Sequence, residues 1–282
     1  MYNTFVYNTE MYNVPNNLYS LEAQDPIVFN GYSLQNIDAM SSKLVEDNTP
    51  TRDLLVNDVP KGDGKFIIGD FWREKIISIK GILRKETPEL LELEIDKMKR
   101  ALAVREAVLD IKRPPPDGEI RRYIATLTSG YNMFSGREHY HVTFVPYELE
   151  FTCVEPFGHS IDYNYVTLFN QTALTLNEQI DNIGTIRAKP IVILNFTSVS
   201  AVTAIRFKNN LRNEEIELVY NIQNGDYVRF DSETLEVTVN GIPQDYNGSF
   251  PLVDIGSNSI TITIVGSAAT YDYTSKYLIP YL

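Results

Sequence analysis

His139 and His141 are two residues apart, so on a strand both imidazoles would face one way, as two ligands of a metal ion must. A tetrahedral site needs a further donor, and Glu138, Glu155 and His159 could supply one, but their spacing fixes no geometry. Solvent-facing or interface histidines are the better reading, and no metal is expected. Two nucleophiles stand out. Cys153, the only cysteine, alternates with Phe151 on an apolar stretch, where a small buried thiol is the ordinary occupant. Ser160, in Gly-His-Ser-Ile-Asp, lacks the Gly-x-Ser-x-Gly elbow of a hydrolase. With 37 acidic residues some pair of carboxylates will be glycosidase-spaced by chance, so that spacing is no argument for hydrolysis. Gly62, Gly64 and Gly69 have neither the Lys-Ser/Thr ending of a phosphate loop nor the dinucleotide spacing, and no cofactor is expected. Phe71, Trp72 and the 18 tyrosines suit a sugar-stacking or partner-binding surface, and equally strand faces and subunit interfaces.

The elements that must carry these residues are mostly strands. Residues 1–25 are rich in Tyr and Asn without a helical period and read as an extended arm that packs on its own domain or on a neighbouring subunit. From Ile27 onward short apolar stretches alternate with turn residues: PIVFNGYSL, KFIIGDFW, EKIISIKGIL, with Asp63-Gly64 as a hairpin signal. One helix is expected from Thr87: Pro88 suits its first position, Glu89, Glu92 and Glu94 its N-terminal end, and Leu91, Ile95, Met98 and Leu102 form one apolar stripe. Then come AVLDIKR, a turn at Pro114–Gly118, EIRRYIATL and HYHVTFVPYELEFT, giving a β-α-β-β order. Glu155-Pro156-Phe157-Gly158 interrupts the alternation, placing a domain boundary near residue 155. Residues 156–282 read as strands throughout, seven or eight of them. Asn224-Gly225, Asn240-Gly241 and Asn247-Gly248 serve as turns, as in an antiparallel sandwich of jelly-roll type.

Lys plus Arg is 25 against Asp plus Glu 37, a net charge of −12, which disfavours a dedicated nucleic-acid binder. The charge is even: residues 1–156 carry 18 basic and 24 acidic groups and the remainder 7 and 13, a net −6 in each part. A single cysteine excludes an intrachain disulfide, and the start of the chain lacks the basic and apolar regions of a secretory leader, so a reducing compartment is expected. Sequons at Asn195 and Asn247 are read as chance. No apolar run approaches the roughly 18 residues of a membrane helix.

Taken in order, several of these features resemble the distal tail (Dit) proteins of long-tailed, siphovirus-type bacteriophages. They begin with Phe29-Asn30-Gly31, a hairpin region from Arg52 to Gly64, and Arg73 before the strand Ile76 to Ile79, which closes at Gly81. The helix Glu89 to Ala103, the strand Ala107 to Ile111 and Arg122-Tyr123 follow. Glu155-Pro156-Phe157 stands where the family has Asp-Pro-aromatic. Later pieces are Asn182-Ile183-Gly184, Ala188-Lys189-Pro190, Gly225-Asp226 with Asp231, Asn240-Gly241, Gly256-x-Asn258-x-Ile260 and Tyr277-Leu278. The likeness runs from about Asp25 to Leu282. Residues 1–25 precede the family's usual start, and the second domain lacks the long insertion in which some relatives carry a carbohydrate-binding module.

The resemblance implies a mainly β, two-domain protein: the arm 1–25, a β-sandwich-like ring-forming domain with one helix over 26–154, and a galectin-like antiparallel β-sandwich over 155–282. It implies a structural, non-enzymatic virion part, a homohexameric ring at the far end of the tail tube that joins it to tail-tip, baseplate or receptor-binding proteins while DNA passes through. The chain would be found in the phage tail tip, and in the host cytoplasm during assembly. Ring closure after six copies needs two different surfaces per subunit. They are sought on the hairpin and the next strands, at Val59, Phe66, Trp72, Arg73, Ile77 and Ile79. An acidic lumen would repel passing DNA instead of holding it. The alternative is a carbohydrate- or receptor-binding sandwich, and an enzyme stands third.

Overall fold

The computed structural model describes residues 27–34, 40–47, 49–58, 63–113, 119–129 and 143–282. The arm 1–25, Val59, Gly62, the Pro114–Gly118 turn, His139 and His141 lie outside the described residues. The chain forms two compact units that divide at His159–Ser160.

In the first unit, β1 (Ile27–Phe29) turns through Asn30 and Gly31, both at positive φ, into β2 (Tyr32–Ser33). Next in the chain are β3 (Met40–Asp47), β4 (Arg52–Asp58), β5 (Lys65–Trp72) and β6 (Lys75–Arg84). The helix α1 (Pro88–Leu102) leads to β7 (Ala107–Lys112), β8 (Ile120–Ser129) and β9 (Phe144–Cys153). All pairing among the described residues of this unit is antiparallel. β8 joins two groups of strands: its first half pairs β7, which pairs β1, and its second half pairs β9, which pairs β6, which pairs β3.

α1 starts and packs as its sequence dictates. Thr87 is extended and its Oγ1 accepts from the Leu90 amide at 3.3 Å, while Pro88 fills the first turn, where no amide donor is needed. Leu91, Ile95, Met98 and Leu102 are buried, in one core with Phe29, Ile77, Ile79, Leu109, Tyr123, Leu149 and Phe151. Gly81 pairs with Tyr147, whose ring lies over it. A Cβ on Gly81 would sit 2.3 Å from the tyrosine oxygen, which donates to the Leu34 carbonyl at 2.8 Å. Asp110 is buried and clasped by its cross-strand partner Arg122 through two bonds of 2.8 Å, so a buried charge is paired and forked.

The second unit is an antiparallel sandwich. One sheet contains β17 (Ile242–Gln244), β16 (Glu236–Val239), β15 (Tyr227–Asp231), β12 (Ile191–Ser200), β20 (Ala268–Tyr281) and β10 (Gly158–Gln171), in that order. The facing sheet runs β11 (Thr175–Asn182), β19 (Gly256–Val265), β13 (Ala204–Asn209), β14 (Glu214–Val219) and β18 (Asn247–Gly248). The core includes Val192, Leu194, Phe196, Phe207, Phe230, Ile262, Tyr271 and Tyr273.

Asn240-Gly241 is a tight turn with both residues at positive φ, as its type predicts. Asn247-Gly248, by contrast, is not a turn. It is the edge strand β18, paired to Glu217 and Ile216, because glycine lets the backbone approach to where a Cβ would lie 2.2 Å from the Glu215 carbonyl. The strand count also exceeds the seven or eight expected: β11, β17, β18 and β20 are additional. β20 alternates Tyr271, Tyr273, Ser275 and Tyr277 inward, so its buried side is written in hydroxyl-bearing residues, which periodicity takes for surface.

Candidate assembly interface

β4 and β5 form an antiparallel ribbon that, among the described residues, pairs with nothing else. Arg73 donates its amide to the Thr51 carbonyl at 2.9 Å and its Nε to Asp53 at 2.7 Å, closing the base. Arg52 donates to Asp70 and stacks on the Trp72 ring at 5.2 Å. Nearer the tip, Lys65 lies 3.8 Å from Asp58. These ion pairs are largely solvated and add little to stability.

Between them, Leu54, Leu55, Val56, Phe66, Ile67, Ile68 and Phe71 are 41–61% exposed. Leu54 and Leu55 pair in step with Asp70 and Gly69, and Phe66 and Ile67 with Asn57 and Val56, so each consecutive pair points to opposite faces and both faces are apolar; Ile68 is the extra residue of a bulge between them. A lone two-stranded ribbon is marginal in water, and a contiguous apolar surface on it calls for a cover. Covering the exposed part of each side chain is worth roughly 1 kcal/mol apiece. Such a surface suits packing against an apolar partner.

A second exposed apolar set lies on the outward side of β6 and β9: Ile76, Ile82 and Phe144, with Arg84 over the Phe144 ring at 5.9 Å and Lys80 bridged to Glu148 at 2.8 Å.

The residues picked from the sequence separate accordingly. Phe66 is exposed on the ribbon, while Trp72 and Arg73 sit at its base. Ile77 and Ile79 are 0% exposed and belong to the unit's own core, so they are corrected to packing residues. Their neighbours Ile76 and Ile82 face outward instead, because β6 carries isoleucine on both of its alternating sides. Leu54, Leu55, Val56, Ile67 and Ile68 were missed, and Phe71 was picked out only with Trp72 as a stacking or partner-binding surface. The signal for them was available: LLV and FII are unbroken apolar runs, which a strand with one wet face does not need.

The chemistry-bearing residues are placed structurally. Cys153 is fully buried, opposite Lys75 across the β6–β9 pair. The Ser160 hydroxyl accepts from the Ile279 amide at 2.9 Å and donates to the Asp162 carbonyl at 2.8 Å. His159 lies 3.5 Å from Glu155. Among the described residues no three His, Cys, Asp or Glu side chains gather as metal ligands.

Several polar residues of the second unit latch loops. Asn182 Oδ1 accepts from the Gly184 amide and its Nδ2 donates to the Ile186 carbonyl. Asn258 Nδ2 donates to Asp254 and Gly256 carbonyls, and Asp226 accepts from the Gln223 amide and from Asn240 Nδ2. Asp231 Oδ1 accepts from the amides of Glu233 and Thr234. Each supplies backbone groups that no strand satisfies.

Comparison with known proteins places this second unit. Residues 183–277 match the family described as siphovirus-type tail component, C-terminal domain. Among solved structures the chain is similar to the SPP1 Dit protein (gp 19.1), described as a paradigm of hub adsorption apparatus in phages infecting Gram-positive bacteria. The TM-score is 0.66 and the identity 12%, over 91% of this chain and 99% of that one. The fold is therefore shared across both units. The phage p2 baseplate in its activated conformation with Sr aligns at a TM-score of 0.39 and 10% identity, over 83% of this chain and 90% of that one, too distant to carry an argument. No curated protein matches the chain in sequence.

Proposed function

We propose that this chain, a phage tail component of the distal tail family by its C-terminal domain and its fold, assembles as a homohexameric ring. The ring joins the tail tube to tail-tip, baseplate or receptor-binding proteins. The observation that carries the tail assignment is the family match over residues 183–277, inside a chain whose two units align with nearly the whole of one distal tail protein. The role is structural, in the virion tail.

The exposed ribbon supports the ring. It offers an apolar surface that one copy leaves in water, and the outward side of β6 and β9 offers a different one. Two unlike surfaces per subunit are what a heterologous, closing contact requires. In this reading the ribbon, with Phe66 and the Trp72–Arg73 base, packs on the neighbouring copy, and Val59 belongs to the same seam. DNA passes through the lumen without being held, since a chain of net charge −12 repels phosphates.

Native mass spectrometry with negative-stain imaging tests the ring. Six chains of 32.2 kDa give an assembly of about 193 kDa with an open centre. A strictly monomeric species on purified tails as well as in solution would overturn the ring.

A further inference from the structure

Glu178 is the feature of the sandwich that neither assembly nor DNA passage explains. It lies on β11, the edge strand of the smaller sheet, and points into the core with 9% of its surface exposed. Across the sandwich, on β20, the buried Tyr273 hydroxyl donates to Oε2 and the buried Ser275 hydroxyl donates to Oε1 at 2.9 Å. The flanking β20 tyrosines reach the same stretch of chain. Tyr271 donates to the Ala173 carbonyl and Tyr277 to the Asp181 carbonyl, each at 2.8 Å, and Asn164 of β10 donates to the Tyr277 oxygen at 2.7 Å. Four consecutive inward positions of β20 thus pin one edge strand and the connection before it by hydroxyls. At the centre of that row is the single carboxyl.

We propose that Glu178 is a proton-operated latch between the two sheets, closed when its carboxyl is neutral and loosened when it ionises. A neutral carboxyl can share hydrogen bonds with Tyr273 and Ser275 at no electrostatic cost, whereas a carboxylate there is a buried charge facing neutral hydroxyls. The titratable groups that couple to it are tyrosines, Tyr273 directly and Tyr277 beyond, with Tyr271 against Tyr273. On its other flank β19 presents Ile260, its register partner, and Ile262. Burial raises the carboxyl above its ordinary value, and the two hydroxyl donors offset this only in part.

The direction of the pH effect follows. A group whose folded pKa lies above its unfolded one stabilises the fold fully below the unfolded value and loses that contribution as pH rises through the folded value. Ionisation therefore frees the edge strand β11 and the 172–174 connection, the part of the smaller sheet paired on one side only. This one contribution is therefore greatest at acidic pH and declines toward alkaline pH.

The test compares the full-length protein with Glu178→Gln, a neutral amide of the same shape, by thermal unfolding from about pH 3.5 to about pH 9. Below the ordinary glutamate value of about 4.3 the two should melt alike. Toward pH 9 the wild type should fall below Glu178→Gln by a few degrees, a difference immune to the other carboxylates because both proteins share them. A constant offset across the range would overturn the latch. Hydrogen exchange supplies the local readout: β11 amides should open faster in the wild type than in Glu178→Gln at the alkaline end, and equal rates there count against the proposal. If Glu178→Gln does not fold, a carboxyl NMR titration of the wild type decides, with one Glu titrating above the ordinary value of about 4.3 supporting the latch and none doing so overturning it.

Discussion

The ribbon of β4 and β5 and the hairpin of β16 and β17 are alike in kind, each two antiparallel strands that follow one another in the chain, yet the hairpin lies within a sheet and the ribbon, among the described residues, pairs with nothing else. In the β16–β17 hairpin, Val237 and Val239 are buried in the sandwich core, and β16 also pairs with β15. Pro243 closes the outer edge, where no further strand is wanted. In the β4–β5 ribbon, seven large apolar side chains remain in water, and order at its base comes from Arg73–Asp53 and Arg52 stacked on Trp72. Alternation tells the two apart. Val237-Thr-Val239 has one dry face, while the ribbon carries large apolar side chains on both, and these remain exposed.

The comparison can be broken or sharpened by substitution. The largest effect belongs to the closed core: Phe207→Ala, which removes a fully buried ring packed edge-on to Phe230 at 6.2 Å, should cost about 3–5 kcal/mol in denaturant unfolding. Next is the buried pair of the first unit. Asp110→Ala strands the Arg122 guanidinium and should cost about 3–5 kcal/mol, whereas a loss within ~0.5 kcal/mol would mean the pair is solvated. The ribbon should behave oppositely. Replacing Ile67 and Ile68 together by serine should change the melting of a single chain by no more than ~0.5 kcal/mol while removing the hexamer from native mass spectra. If the double variant still assembles, the apolar ribbon is not the seam.

Much of the architecture was legible. The helix stripe Leu91, Ile95, Met98 and Leu102 is buried as its spacing demands, since a helix with one wet face has only one way to lie on a sheet. The polar residues that carried the family resemblance in the second domain, such as Asn182, Asp226, Asp231 and Asn258, are readable for a related reason. Each binds backbone groups within a few residues of itself, so sequence proximity is enough to define its job. Fold class and the resemblance to tail proteins follow from such local signals in their order along the chain.

Tertiary structure alone decided the matters that depend on which side of a strand faces what. β6 has isoleucine at both parities, so only its pairing with β3 and β9 under α1 assigns Ile77 and Ile79 to the core and Ile76 and Ile82 to the outside. Asn247-Gly248 carries the letters of a turn, and the neighbouring Glu215 carbonyl makes it a strand. Glu178 is an ordinary acidic residue in the sequence, and it becomes a buried group only because Tyr273 and Ser275, far along the chain, arrive opposite it. Composition, periodicity and turn chemistry are properties of neighbours in sequence, and they determined the elements. Burial, parity and the partners of buried polar groups arise between distant segments, and the packing of those elements determined them.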